Sequence, residues 1–399
     1  MRAMHVGKYY PPYAGGMENF LRDLVHALAR CGVPISVLVH NQRSDWVTVG
    51  NIDKDPWVLR VPSCGAVLYA PISPAFLSAF KKMIHRFRPD LLHLHVPNTS
   101  AFWALAVPEA RKIPWVVHWH ADVVPSAIDR RLTAAYRIYR PLETRLLRQA
   151  RAVIATSPPY LETSEPLKPW RAKCRIVPLG IDPLRVPEPA VSARADAERM
   201  WAPDGLRVLS VGRLTYYKGH DVLIRAVARV PEARAVIVGT GPEGKKLREL
   251  SRRCGLQTRV FFAGWVPDER LHALAATCDV LCLPSKERTE AFGLVLLEAM
   301  RYEKPVVASD VPGSGMGWVV RHGETGVLVR PGDAEDLAGA LRALARDPEA
   351  REAMGKQGGE RFRAHFHIDS VARDVLGLYG KVAGGDGYGK GVGRHSSAQ

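Results

Sequence analysis

Val208-Leu-Ser-Val211-Gly212-Arg213-Leu-Thr-Tyr-Tyr-Lys218-Gly219 begins as an apolar, β-rich run and turns at a glycine into a basic loop. A strand this apolar suits a parallel sheet covered on both faces, and parallel neighbours need a long crossover, usually a helix. The same unit recurs on either side. In the second half, strands are expected also at Ala235–Val238, Val260–Phe262, Val280–Leu283, Val306–Ala308 and Gly326–Val329. In the first half they are expected at Met1–Gly7, Ile35–His40, Val58–Val61, Leu91–Val96, Trp115–His118 and Ala152–Ser157. Amphipathic stretches fill the gaps, notably 17–30, 75–87 and 129–149. This alternation predicts an α/β chain of two units with mainly parallel sheets.

A length of 399 residues suits two or three domains. Pro183-Leu-Arg-Val-Pro187-Glu-Pro189, followed by alanine-rich sequence to Gly205, suggests a proline-stiffened linker. The expected division is 1–187, then 188–364, with 365–382 a final helix. The glycine-rich stretch 383–399 is expected to be a disordered tail. No repeat at a solenoid period is visible.

A hydrophobic share of 47% with 24% charged residues excludes disorder as the main state. The longest apolar runs, such as Ala101–Val107, fall far short of the roughly 20 residues that span a bilayer, so no transmembrane helix is expected. The start, Met1-Arg2-Ala3-Met4-His5-Val6, lacks a secretory core, and a cytoplasmic location follows as an expectation. Six scattered cysteines form no CxxC pair, which suggests reduced thiols rather than disulfides or a cysteine metal site.

Charge is unevenly divided. Residues 1–187 hold 25 Lys and Arg against 13 Asp and Glu, while 188–399 hold 31 against 27, so most of the net +16 lies in the first half. An anionic partner is implied.

The most informative chemistry lies in Glu290-Ala-Phe-Gly-Leu-Val-Leu-Leu-Glu298, between an expected strand and an expected helix. Along a helix, eight residues span at most about 12 Å, so two carboxylates at this spacing suit two parts of one ligand. Gly293 would let a ligand approach the helix N-terminus, whose free N–H groups and dipole favour an anion such as a diphosphate. Glu298 lies among Leu294, Val295 and Leu297, where an ionised group needs donors, which sugar hydroxyls would supply. The plainer alternative is two surface glutamates, one paired with Lys304 or Arg301.

In the loop 212–219, Arg213 offers a bidentate fork and Lys218 a point charge, together suited to two phosphates without a metal. Such a loop, at the carboxyl end of a parallel strand, faces the crevice where doubly wound sheets bind ligands. Gly239-Thr-Gly241 lacks the third glycine of a dinucleotide fingerprint. Gly15-Gly16 precedes a helix and suits either an anion contact or a tight turn. His93 with His95, and His118 with His120, lie at i and i+2 and share a face. Neither pair is completed by a third ligand at metal spacing, so no metal is expected, and a histidine at a strand's carboxyl end remains suited to substrate.

Together these residues resemble the retaining glycosyltransferases of family 4. The resemblance runs from Tyr10-Pro-Pro-Tyr-Ala-Gly15-Gly16-Met-Glu18 to about residue 380, and also includes Glu324-Thr-Gly-Val-Leu-Val. It implies the GT-B fold, two Rossmann-like domains with parallel sheets facing a cleft, with the final helix returning to the first domain. It further implies that Arg213 and Lys218 hold the donor diphosphate, with backbone amides from Gly293 and Leu294. Glu290 would contact the donor sugar, Glu298 the ribose, and Trp265 and Val266 the base. Phe292 belongs to the same donor site, Gly16 would touch the phosphate, and His120 would lie near the transferred sugar and acceptor. The resemblance implies retention of configuration, without a covalent nucleophile and without metal or cofactor. Ser285–Gly293 and Gly313–Trp318 are similar to mannosyl- or rhamnosyl-transferring members of bacterial polysaccharide pathways. The expected donor is therefore GDP-mannose, with UDP-sugars second and a saccharide or polyprenyl-diphosphate-linked saccharide as acceptor.

A nucleotide-sugar epimerase on the same fold is the competing enzyme class. Nucleic acid is not an expected partner, since no helix-turn-helix, zinc finger or RNP-like motif accompanies the charge. An anionic membrane surface fits better. Residues 129–151 carry seven arginines and two acids interleaved with Tyr136, Ile138, Leu146 and Leu147, and Lys81-Lys82-Met-Ile-His-Arg86-Phe-Arg88 is alike. A peripheral position on the inner face of the cell membrane is expected.

Overall fold

A computed structural model describes all residues except 14, 51–55, 69, 124–129, 202–204 and 385–399, and for 130–132 it describes the backbone only. The chain divides into two compact units. One comprises Met1–Thr156, Ser164–Val177 and the chain from Ile368; the other comprises Ser157–Thr163 and Pro178–His367. The sequence-based division lay at 187/188, with the final segment from 365. The expected tail, 383–399, falls almost wholly outside the described residues.

In the first unit, seven parallel strands and one antiparallel edge form a sheet. Their order is Cys174–Ile176, Ala152–Ala155, Trp115–Trp119, Leu91–Val96, Ala3–Val6, Ile35–His40, Trp57–Val61 and Val47–Val49. The first strand in the chain therefore lies mid-sheet, and the order reverses between it and Leu91–Val96. Helix Gly16–Arg30 buries Phe20, Leu21, Leu24, Val25 and Leu28 along one stripe. It packs against the final helix, Ile368–Ala383, where Arg30 meets Asp369 at 2.7 Å.

The second unit repeats the plan with six parallel strands in the order Val260–Gly264, Ala233–Val238, Leu206–Val211, Val280–Leu283, Val306–Ser309 and Gly326–Val329. Val208, Ala235, Ile237, Val280, Cys282 and Val307 join Leu223, Val227, Leu337 and Leu341 of the covering helices in one core. Burial on both faces explains why these strands are apolar without alternation.

Two sequence expectations need correction. The segment 183–205 is not a linker: it contains helix Val191–Glu198 and buries Val186, Ala197 and Trp201 in the second unit. Trp201 Nε1 donates to Thr277 Oγ1 at 3.0 Å, and the Tyr302 hydroxyl donates to the Pro187 carbonyl at 2.6 Å. The prolines precede the helix rather than stiffen a tether, and the alanines that follow are good helix formers. The strands Val47–Val49 and Cys174–Ile176 were not anticipated, being only three residues each at the two edges of the sheet.

Candidate functional site

Strand order in the second unit reverses between Leu206–Val211 and Val280–Leu283, so the loops after these two strands meet at a topological switch point. The first loop turns at Gly212, with φ +155°, runs through the short helix Tyr216–Lys218 and ends at Gly219, with φ +69°. A Cβ at Gly219 would collide with the carbonyl oxygen of Pro284, so the two loops meet backbone to backbone. The Lys286 amide donates to the Tyr217 carbonyl at 2.7 Å, and the Tyr216 hydroxyl donates to Glu287 at 2.6 Å.

This junction brings Lys218 and Glu290 together as an ion pair, each side chain 13% exposed. Ser285 Oγ donates to the same Glu290 oxygen at 3.5 Å, and the Glu290 carbonyl accepts from Ser314 Oγ. Arg213 is exposed on the first loop and donates to the Tyr217 hydroxyl at 3.2 Å. Gly293, with φ +79°, caps helix Leu294–Arg301 with no side-chain hydrogen bond to the cap, and the first N–H groups of such a helix have no intrahelical partner. Phe292 is buried beneath, against Trp318 and Phe366. One cation, one carboxylate and an open helix N-terminus thus share one junction.

Glu298 follows a turn and a half later on the same helix. Its Oε1 accepts from Arg185 Nη1 at 3.2 Å, in a pair 15% and 8% exposed. Arg301 turns instead to Glu188. Arg185 was missed because it lies in the segment taken for a linker. After the edge strand Val260–Gly264, one strand removed from Leu206–Val211, Trp265 stands 71% exposed while Val266 is buried. In the Gly239-Thr-Gly241 loop, a Cβ at either glycine would strike the backbone of Gly212 or Leu214. These glycines allow close loop packing.

Gly16 and His120 belong to the first unit. Gly16 opens helix Gly16–Arg30, and the Glu18 carboxylate lies against Gly15 at the same N-terminus. Glu18 there complements the dipole from within the chain. His120 follows strand Trp115–Trp119, is 4% exposed, and is pushed down to about 3 by burial. His5, which the sequence reading did not single out, aligns with His93 across the sheet, and His95 aligns with His118. The trios His5/His93/His95 and His95/His118/His120 each gather ring nitrogens within 4.8 Å, a spacing open to a metal ion. Their nitrogens are also paired with one another in hydrogen bonds.

Family models described as a glycosyl transferase 4-like domain and as glycosyl transferases group 1 match residues 15–180 and 194–361. The D-rhamnosyltransferase WbpZ of Pseudomonas aeruginosa is 31% identical, with 92% of each chain covered. The chain belongs to the family 4 glycosyltransferases. This glycosyltransferase is also similar to O-antigen chain mannosyltransferase C of Escherichia coli, 29% identical over 95% of this chain and 98% of that one. Among solved structures, sucrose-phosphate synthase from Thermosynechococcus elongatus shares 27% identity and a TM-score of 0.79, covering 95% of this chain and 98% of its own. The enzyme has the GT-B fold of two parallel-sheet α/β domains.

Proposed function

We propose that this glycosyltransferase moves a hexose from a nucleoside diphosphate sugar, with GDP-mannose as donor, to a saccharide or lipid-linked saccharide in cell-surface polysaccharide synthesis. The observation that carries the donor site is the Lys218–Glu290 pair beside the open helix N-terminus at Gly293. A diphosphate entering there meets the Lys218 ammonium, the Arg213 fork and the N–H groups of Gly293 and Leu294. This preorganised positive field stabilises the departing diphosphate as the sugar becomes oxocarbenium-like, so no divalent ion is required. As phosphate oxygens engage Lys218, Glu290 turns to accept from sugar hydroxyls. Glu298, held by Arg185, serves the ribose, while the exposed Trp265 offers a face to the base. Retention follows from front-face displacement, in which the leaving phosphate takes the acceptor's proton.

The mannosyl- and rhamnosyltransferase relatives support the choice of sugar and pathway. Hydrolysis and transfer measured over a panel of nucleotide sugars test it: GDP-mannose should be turned over fastest, with the product α-linked as the donor is. Preference for a UDP-sugar would overturn the donor, and release of an epimer without acceptor would overturn the reaction.

The basic first unit is proposed to work at an anionic membrane surface. Lys81, Lys82, Arg86 and Arg88 are exposed around helix Phe76–Phe87, whose apolar face is core. Arg137, Arg140, Arg145 and Arg148 are exposed on helix Arg130–Gln149, with Ile138 75% exposed among them. A recess lined by Trp46, Trp57, Lys82 and Arg86 adds aromatic surface beside the charge. Among the described residues, no helix is long and apolar enough to cross a membrane. The chain should sediment with anionic vesicles and release them as salt rises, and equal binding to neutral vesicles would contradict this.

A further inference from the structure

The sheet of the first unit carries five histidines on three adjacent strands or their ends: His5, His93 with His95, and His118 with His120. All are at most 5% exposed. Their rings stack in layers, His93 on His95 at 4.5 Å and His118 on His120 at 4.3 Å, each pair nearly parallel. The final helix adds Tyr379, fully buried, between His93 and His5.

Every contact joins two different atoms. His118 Nδ1 meets His93 Nε2 at 3.1 Å; His93 Nδ1 meets the Tyr379 hydroxyl; that hydroxyl meets His5 Nε2 at 3.1 Å. His5 Nδ1 meets His95 Nε2 at 3.1 Å, and His95 Nδ1 meets His120 Nε2 at 2.9 Å. The two remaining nitrogens, His118 Nε2 and His120 Nδ1, are buried and have no hydrogen-bond partner among the described residues. The result is one unbranched chain with an open atom at each end.

Burial lowers all five imidazoles well below their ordinary range and raises the phenol, so every member is neutral near pH 7. Each neutral imidazole then holds one N–H and one lone pair, and Tyr379 one O–H. Six protons therefore serve five hydrogen bonds, and one is left over. Two arrangements satisfy every bond with the Tyr379 proton inside the chain; in a third, Tyr379 accepts from both His93 and His5 and its own buried O–H is left without an acceptor. In the first, all five histidines are Nδ1–H and His120 presents a donor; in the second, all five are Nε2–H and His120 presents a lone pair. Any other arrangement sets two protons or two lone pairs against each other in the core, which is costly.

We propose that His118, His93, Tyr379, His5, His95 and His120 form a tautomer relay that switches only as a unit, with Tyr379 as the positioning residue that fixes which role His120 offers. A hydrogen-bond acceptor placed at His120 Nδ1 selects the first state throughout, and a donor excludes it. Its consequence for sugar transfer rests on the place near the transferred sugar that the family resemblance implies for His120; the coupling itself does not.

The test uses the full chain with 15N-labelled histidine and long-range proton–nitrogen spectra, which separate the two tautomers without any substrate. All five histidines should share one tautomer in the wild type. Tyr379→Phe removes the middle link and leaves segments of two and three histidines, so each segment should keep one tautomer within itself while the two segments no longer share it. In that variant kcat should fall roughly 10–100-fold with KM little changed, as when an outer partner of a working histidine is removed. Mixed tautomers in the wild type would overturn the relay even if the variant fails to fold. So would stoichiometric zinc uptake that abolishes the N–H signals. A shared tautomer lost in Tyr379→Phe with kcat unchanged would uphold the relay and count against His120 in the proposed reaction.

Discussion

Counting parallel strands along the chain, the first sheet of this glycosyltransferase runs 3-2-1-4-5-6-7 and the second 3-2-1-4-5-6, and both reverse beside their first strand. Their polar chemistry is placed differently. In the first unit it sits on or just beyond the strands, as imidazoles no more than 5% exposed. In the second, strands Leu206–Val211 and Val280–Leu283 are mostly apolar, and the working groups stand in the loops that follow, where Lys218 and Glu290 keep 13% exposure. The difference follows from desolvation. A titratable group inside a sheet is held neutral by desolvation, whereas a loop at the strand ends can hold a charge that still reaches solvent or a ligand.

If the second unit binds through charges in its loops, the largest effect should come from Glu290→Ala. Transfer should fall by about 10²–10³-fold while nucleoside diphosphate binding survives or tightens, because Lys218 loses its competing partner. Calorimetry showing lost diphosphate affinity would place Glu290 on the phosphates instead. A loss of roughly 10–100-fold in both binding and transfer is expected for Lys218→Ala, which removes one charge-assisted contact.

The neutral histidines of the first unit predict a different signature, in acid. His5 and His120 are held down to about 3, and His40 to about 4, against an ordinary value of 6.5. Below about pH 6.5 the unfolded chain binds these protons and the folded one does not, so stability is full above that pH and falls as pH drops toward 4 to 3. Each such group contributes up to about 1.4 kcal/mol per pH unit in this window. Hydrogen exchange at pH 5.5 should therefore open the first sheet before the second, and simultaneous opening would break the contrast. The smallest effect belongs to Trp265→Ala, which should weaken donor binding about tenfold or less, since one exposed ring contributes only about 0.5–1.5 kcal/mol beyond its buried area.

The fold was legible because its twelve main strands are apolar runs separated by helical stretches, and each appears within a few residues of its expected place. The edge strand Cys174–Ile176 was not, since two of its three residues are exposed and its pairing comes only from Val153–Ala155. Lys218 and Glu290 were each visible from motif and spacing. Their ion pair was not, for it depends on strands far apart in the chain becoming neighbours. The same holds for the histidines. The i and i+2 pairs were apparent, but joining them needed His5 from the adjacent strand and Tyr379 from the last helix. Arg185 was hidden by prolines that suggested a tether where the chain is folded.

The central claim is that Lys218, at the switch point of the second unit, holds the donor diphosphate without a metal. The most direct measurement is calorimetric titration of GDP into the wild type and Lys218→Ala, both in excess EDTA. The account predicts that the wild type binds under these conditions and that the variant binds roughly 10–100-fold more weakly. Equal affinity in the two proteins, or binding that appears only when Mg²⁺ or Mn²⁺ is restored, would contradict it.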